Sequence, residues 1–192
     1  MVNRKEIMDI AIELWQKRGY RNVSVEEICR NLNVTKGSFY HHFSSKRELL
    51  IRYYLEKTDE ELKTSLKSIQ KETSSIAAVK KIYRVYTGGI ATLSPELVMG
   101  ILSKNDAFSL HHNDFYDGIP DLMEKELKSA ILHGQKEKEI RTDLDADVLL
   151  ELVTYSLFGI AINWCYTDRS FDIFQKDDLM IDVLLKDQSL SR

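Results

Sequence analysis

The chain has 192 residues, enough for one large domain or two small ones, and its 43% hydrophobic and 30% charged residues are typical of a soluble globular protein. It has only eight glycines and two prolines, which favours helices, and its two cysteines indicate no disulfide framework and favour the reducing cytoplasm. The net charge of −3 is uneven, because residues 1–52 carry +4 and the others −7, as expected if only one end contacts phosphate.

The first predicted helix spans residues 3–18. Its apolar residues recur at the spacing of one buried helix face: Ile7, Ile10, Ala11 and Leu14. Gly19 is suited to end this helix, because glycine tolerates the left-handed backbone that often follows a last helical turn. The residues before it lack the apolar core of a signal peptide, which agrees with a cytoplasmic protein.

The second helix is predicted at about residues 25–32 from the signals at its start. Ser24 and Glu27 have the spacing of a capping box, in which each side chain bonds to the other residue's backbone. Val23 and Ile28 occupy the two positions of a hydrophobic staple, which sets the angle at which the chain enters the helix.

The third helix, at about residues 36–42, begins in the same way. Thr35 is its predicted N-cap, and Val34 and Phe39 form a second staple. Residues 31–34 are then a tight corner between two short helices, which is the geometry of a helix-turn-helix. A short, well-capped helix that is basic at its start is suited to enter the major groove of DNA.

The rest of the chain is also predicted to be helical, which makes the fold all-α with about nine helices. Ser45 and Glu48 repeat part of the capping pattern, and Ser94 and Asp145 are suitable N-caps. The six later helices are predicted from Ser45 to about Lys71, after residues 73–75, from Pro95, from Pro120, at about 146–167 and at about 173–187.

The eighth helix is apolar on nearly all sides, which predicts that it is buried. Its uncharged run, Leu152 to Thr167, is shorter than the ~20 residues that span a bilayer, so no membrane association is expected. The helix is either the centre of a monomeric core or half of a dimer interface, and palindromic DNA would require the dimer. The predicted interface, with helix nine, comprises Leu152, Gly159, Ile160, Asn163, Met180, Val183 and Leu184.

The N-terminal quarter resembles the TetR family of bacterial transcriptional regulators. The segments that carry the likeness are Gly19-Tyr20, Ser24 to Ile28, Val34 to Phe43, Lys46 and Leu49-Leu50. The resemblance implies a DNA-binding head, residues 1–46, and a body for effector binding and dimerisation, residues 47–192. Over the body the likeness is one of helix layout only.

The resemblance also assigns DNA contacts to individual residues. It implies that Tyr40 and Lys46 contact phosphate, that Ser24 approaches the DNA backbone, and that Gly37 allows close approach. It places these residues where relatives contact bases or adjacent phosphates: Thr35, Lys36, Ser38 and His41.

The chemistry of these side chains agrees with that assignment. Phe39 and Phe43, spaced i and i+4, are predicted to lie in the core of the head, which turns Tyr40 away from it. Lys36 is able to bind a guanine edge, and Ser38 can hydrogen-bond either type of base. His41 and its neighbour His42 point ~100° apart on a helix and form a poor chelate, so no metal site is expected.

The body is rich in aromatic residues, some of which the resemblance places around an effector. Aromatic and apolar walls with a few polar groups suit a small hydrophobic molecule. The candidates are Tyr83, Tyr86, Phe108, Phe115, Tyr116, Tyr155 and Phe158. His111, His112 and Asp114 are interpreted as a solvated turn, and no cofactor is predicted.

The leading hypothesis is a dimeric, ligand-responsive regulator that binds a palindromic operator, most simply as a repressor. One alternative is a DNA-bound structural or partner-recruiting protein with the same head and no effector. A second alternative is an enzyme with helix starts of this kind by chance, but no acid/base or metal constellation is visible in the sequence.

Overall fold

The computed structural model describes residues 2–102 and 121–187, and within these ranges the chain folds into α-helices, as predicted. An isolated antiparallel bridge joins Ile140 to Lys186. The helices are α1 (Arg4–Arg18), α2 (Val25–Asn31), α3 (Lys36–His42), α4 (Lys46–Ile69), α5 (Ser75–Ala91), α6 (Pro95–Leu102), α7 (Asp121–Lys136), α8 (Ala146–Tyr166) and α9 (Ile173–Leu185). Pro120, the predicted start of the seventh helix, lies outside the described residues.

The predicted N-caps of the head are confirmed. The side chains of Ser24, Thr35 and Ser45 each accept a hydrogen bond from the backbone N–H three residues later, at 3.2, 3.3 and 3.0 Å. Each of these bonds satisfies one of the amides that a helix start leaves without a partner.

The reciprocal half of the two predicted capping boxes is not formed. Glu27 pairs with the guanidinium group of Arg18 instead. The carboxylate of Glu48 accepts bonds from the amide and hydroxyl groups of Ser44, both at 2.6 Å, and these bonds lower its pKa to about 2. A complete capping box is found at the start of α1, between Asn3 and Glu6.

The corner between α2 and α3 is a helix-turn-helix. Asn33 adopts a left-handed backbone, with φ of 55°, which asparagine tolerates better than most residues. The amide of Val34 then bonds to the carbonyl oxygen of Cys29 at 2.9 Å. Val23, Ile28 and Phe39, three of the four staple residues, are fully buried.

α4 joins the head to the body. Leu49 and Leu50 near its start and Leu62 further along are all buried in one continuous hydrophobic core that includes residues of α1 and α9. The predicted division into residues 1–46 and 47–192 therefore remains a prediction about function, since the two parts share a core. α5 packs so closely on α4 that a Cβ added at Gly89 would lie 2.7 Å from the Thr58 side chain.

α8 is apolar enough and long enough to cross a bilayer, by length and composition alone, with a mean hydropathy of 1.6 over 18 residues. In this fold it packs against α6, α7 and α9, and Val153, Leu157 and Ala161 are buried among them. This packing is that of a core helix in a globular domain.

Within one chain, the predicted burial of α8 holds for one side of the helix only. Val148, Tyr155 and Tyr166 are exposed, so the helix has one buried face and one face that is both apolar and exposed. The sequence pattern did not reveal this division because both faces carry apolar side chains.

A buried carboxyl group lies where α9 packs against α5. Asp177 is 1% exposed, and one of its oxygens accepts a hydrogen bond from the hydroxyl group of Thr87. The other oxygen has no hydrogen-bond partner among the described residues. Burial and the negative charge of Asp178 both disfavour ionisation and outweigh the hydrogen bond from Thr87, so the pKa of Asp177 is raised to about 6.

Asp177 should therefore make the protein less stable as the pH rises. The folded state holds this proton more tightly than the unfolded chain, so the free energy of unfolding should fall between about pH 4 and pH 6, by about 2–3 kcal/mol. We expect Asp177→Asn to remove this dependence and to be more stable than the wild type at pH 7.5. Denaturant titrations at several pH values and one protein concentration measure the free energy of unfolding of both proteins.

Asp168→Asn, at an exposed position, is the matched control and should follow the wild-type pH profile. An Asp177→Asn profile that runs parallel to the wild-type profile from pH 4 to pH 7 would contradict the assignment of the buried proton.

Candidate DNA-binding surface

α3 has one buried and one exposed face, as predicted. Phe39 is 0% exposed, and its ring centroid lies 5.7 Å from that of Phe43, which is also buried. Gly37 and His41, two residues to either side of Phe39, lie about 200° around the helix from it and are exposed. Tyr40 is 55% exposed, which is high for a large aromatic residue. The helix thus presents a polar and aromatic face to solvent.

Two hydroxyl groups meet in the first turn of α3. Thr35 Oγ1 accepts a bond from the Ser38 amide and lies 3.2 Å from Ser38 Oγ. A Cβ at Gly37 would meet nothing closer than Thr35 Oγ1, at 3.6 Å. Packing within the chain therefore does not require glycine at this position, and close approach to DNA remains the predicted reason for it.

An ion pair connects the starts of α2 and α3 on this surface. The ammonium group of Lys36 contacts the carboxylate of Glu26, and both side chains are more than half exposed. Their interaction raises the pKa of Lys36 and lowers that of Glu26. Glu26 thus brings a negative charge next to a residue predicted to contact DNA. Ser24, also exposed, lies two residues before it, at the N-cap of α2.

Lys46 is only partly exposed, and its ammonium group is bound inside the molecule. It donates hydrogen bonds to the carbonyl oxygens of Tyr20, at 2.7 Å, and Val23, at 2.6 Å. It also lies 4.4 Å from the centre of the Tyr20 ring. Burial lowers the pKa of Lys46. These two bonds occupy two of the three N–H groups of the Lys46 ammonium group. Unless they break, one N–H group remains for the predicted contact with phosphate.

Glu96 binds the same turn from the other side, and sequence reasoning did not assign it a role. Its carboxylate accepts hydrogen bonds from the backbone amides of Tyr20 and Arg21, both at 3.0 Å. The pattern Ser94-Pro95-Glu96 located the start of α6 but held no sign of a contact with residues 75 positions away.

The predicted dimer interface lies along the outer side of α8 and α9. Gly159, Asn163 and Val183 are exposed, and the other four predicted residues are partly exposed: Leu152, Ile160, Met180 and Leu184. Between the two helices runs a groove of about 460 Å³, lined by Ser156, Gly159, Ile160, Asn163, Phe171, Lys176 and Met180. We call the exposed side of α8 and α9 the outer face.

The predicted effector residues are dispersed. Tyr83 and Tyr86 are buried in α5, and the Tyr83 hydroxyl group donates to the carbonyl oxygen of Val153. Phe158 is partly buried, whereas Tyr155 lies on the outer face with its hydroxyl group bonded to Glu151. Phe108, Phe115 and Tyr116 are outside the described residues, as are His111, His112 and Asp114. Within the described ranges, no group of His, Cys, Asp and Glu is arranged to hold a metal ion.

The comparisons with known proteins identify the head. The sequence model described as "Bacterial regulatory proteins, tetR family" matches residues 7–53, which contain α1 to α3 and the start of α4.

The head of this chain is a TetR-family DNA-binding domain.

Transcriptional regulators from bacteria are similar to this chain over about four fifths of its length. A helix-turn-helix transcriptional regulator of Staphylococcus aureus (strain bovine RF122 / ET3-1) is 26% identical over 160 residues, which are 83% of this chain and 82% of that protein. The helix-turn-helix transcriptional repressor DhaR of Mycobacterium sp. (strain GP1) is 28% identical over 163 residues, covering 81% and 79%.

Solved structures of TetR-family proteins share the fold beyond the head. The FadR regulator of Bacillus subtilis, solved with stearoyl-CoA, has a TM-score of 0.72 and 17% identity, covering 95% of this chain and 98% of that one. The FadR repressor of Thermus thermophilus, solved with lauroyl-CoA, has a TM-score of 0.75 and 18% identity, covering 95% and 93%. These structures show that the fold of the whole chain is that of TetR-family proteins. The family match of the head and the sequence relatives make the protein a DNA-binding transcriptional regulator.

The Glu26–Lys36 pair yields a test of the DNA-binding surface. Glu26→Gln removes a negative charge near phosphate and releases Lys36, so we expect DNA binding to become roughly two- to fivefold tighter at low salt. The gain should shrink as salt is added, because exposed charges are screened. Fluorescence anisotropy with labelled duplex DNA measures it.

Asp59→Asn is the control, since the partly exposed Asp59 pairs with the exposed Lys63 in the middle of α4. If Glu26→Gln and Asp59→Asn change DNA affinity equally, Glu26 does not lie on the DNA-binding surface.

Proposed function

We propose that this protein is a homodimeric repressor that binds a palindromic operator and is released from it by a small hydrophobic effector. In this proposal the head, residues 1–46, contacts DNA, and the body, residues 47–192, holds the effector and the dimer interface. The protein acts in the cytoplasm, with no membrane partner. The repressor DhaR, similar over most of its length, supports repression as the mode of action.

The observation that carries the proposal is the outward presentation of Tyr40, with Lys36, Gly37 and His41, from a helix anchored by Phe39. The exposed side of a short, capped helix carries the groups that major-groove recognition uses: an ammonium group, a hydroxyl group and an imidazole. The proposed roles are phosphate contact for Tyr40 and base contact for Lys36.

Dimerisation through the outer face supports a palindromic operator. Val183, Leu179 and Tyr155 are large apolar or aromatic residues with about half of their surface exposed. An apolar surface of this kind is the usual mark of a protein interface, and a two-fold axis brings identical patches together. The two copies of α3 would then enter successive major grooves, ~34–36 Å apart.

The effector class is proposed from the interior of the body and from the fold. Tyr54, Tyr83 and Tyr86 form an aromatic cluster between α4 and α5, with the rings of Tyr54 and Tyr86 edge to face at 5.4 Å. Two proteins of the same fold were solved with long-chain acyl-CoA, so these thioesters are the first compounds to test. An effector that favours the wrong spacing of the heads would weaken DNA binding by typically ~1–3 kcal/mol, and DNA would weaken effector binding equally.

The dimer is tested by Val183→Glu. Val183 is 49% exposed in the single chain, so the substitution should leave the fold intact. In the dimer it would bury a charge, and we expect the dissociation constant of the dimer to rise at least about 100-fold. Sedimentation velocity measures it, and binding to a duplex selected by the wild type from a random-sequence pool should fall in parallel.

Leu132→Glu is the matched control, because Leu132 is 50% exposed and lies on α7. The selected duplex should be palindromic. A wild type that is monomeric at micromolar concentration, or that selects a sequence without two-fold symmetry, would refute this part of the proposal.

The effector is tested with stearoyl-CoA and lauroyl-CoA against the complex of protein and selected duplex. We expect release of the duplex at micromolar ligand, together with a higher unfolding temperature of the protein, since a ligand of the folded state stabilises it. Coenzyme A without an acyl chain is the control and should do neither. If neither thioester releases the duplex, long acyl-CoA is not the effector, and a DNA-bound protein without an effector becomes the better description.

A further inference from the structure

Side chains from two other helices bind the turn between α1 and α2, residues 19–24. Gly19 ends α1 with φ of +86°, a backbone conformation that residues with a side chain rarely adopt. After it, the amides of Tyr20 and Arg21 each donate to one oxygen of the Glu96 carboxylate, at 3.0 Å. Both oxygens of a single carboxylate in α6 are therefore used to hold the backbone of the head.

The turn is held from α4 as well. Lys46 donates to the carbonyl oxygens of Tyr20 and Val23. The backbone of Tyr20 thus has its amide bound to α6 and its carbonyl bound to α4. The negative charge of Glu96 favours the protonated form of Lys46 and partly opposes the effect of burial on its pKa. The two opposite charges lie close enough to attract each other next to the turn.

α6 packs closely against the turn and against α4. A Cβ at Gly100 would lie 3.1 Å from the Leu50 side chain and 3.9 Å from the ring of Tyr20. A Cβ at Gly19 would lie 3.1 Å from the Glu96 carboxylate. The guanidinium group of Arg47 adds a bond to the carbonyl oxygen of Ile101, at 3.3 Å. α6 also packs against α4 and α8, so it contacts the helix of the outer face as well as the turn of the head.

We infer that Glu96 is a positioning residue for DNA binding. It holds the head at a defined place relative to α6, and in the dimer this sets the distance between the two copies of α3, the helices that enter the DNA grooves. This inference rests on the proposed function. The turn connects α1 to α2 directly. The buried side chains of Trp15 in α1 and Ile28 in α2 anchor these two helices in the core of the head. A displacement of α6 therefore moves the head as one body while the two hydrogen bonds persist.

Glu96→Gln separates this role from folding. Leu97 and Val98, both 0% exposed, hold α6 in the core, whereas Glu96 is partly exposed. The amide side chain keeps the size of glutamate but carries no charge, and one of its two terminal atoms is a donor, so in this geometry one of the two backbone amides loses its accepting atom. Glu60→Gln, at an exposed position in α4, is the control that removes an equal charge.

The probes are a duplex selected by the wild type from a random-sequence pool and the same duplex with one half-site scrambled. We expect Glu96→Gln to bind the full site roughly tenfold more weakly, since charge-assisted bonds that position the head are lost. Binding to the scrambled duplex should stay within about twofold of wild type, because one head needs no fixed spacing. The amides of Tyr20 and Arg21 should exchange faster in hydrogen–deuterium exchange of the full-length protein.

Equal affinity of wild type and Glu96→Gln for the full site would overturn the inference, as would an equal loss on both duplexes. If Glu96→Gln fails to fold, Glu96→Asp replaces it, because a carboxylate one methylene shorter keeps the charge but cannot reach both amides. If the wild type selects no duplex, it is the proposed function that fails. Amide exchange then decides alone, and unchanged rates at Tyr20 and Arg21 would overturn the inference.

Discussion

The burial of Phe39 is the constraint on which the DNA-binding surface depends. α3 has only seven residues, and a helix of two turns is not stable by itself in water, so contacts with the rest of the head must hold it. Phe39 supplies the central contact, packed beside Phe43 beneath the helix. The same rotation that places Phe39 inside places Gly37 and His41 opposite it, in solvent. One buried ring therefore determines which side chains are offered to DNA.

Two lysines of the head that are predicted to contact DNA also bind groups of their own chain. Lys46, which the family resemblance assigns to phosphate, bonds to two carbonyl groups of the α1–α2 turn. Lys36 is paired with Glu26 on the surface. Each ammonium group thus has a partner within the chain. If these lysines contact DNA as proposed, the phosphate or base edge competes with that partner, and the affinity depends on the difference between the two interactions.

Features that depend on neighbours in sequence were predicted well. The caps at Ser24, Thr35 and Ser45 follow from one backbone amide three residues away, and the amphipathic face of α3 follows from helical rotation. The pairing of Glu27 was missed because Arg18, nine positions away, comes close only in the folded head. Tyr155 was predicted in an effector pocket and lies on the outer face, because an apolar sequence pattern does not distinguish a core side from a side that a partner could cover.

The sequence by itself determined the all-α fold, the helix starts, the basic head and the inward side of the recognition helix. All of these follow from interactions over three or four residues or from summed charge. The tertiary structure alone decided that Asp177 is buried with one oxygen unpaired among the residues that the structure describes. It also decided that α8 has an exposed side and that Glu96 holds the turn of the head. These depend on distances between residues far apart in the chain, which only the packing of whole helices brings together.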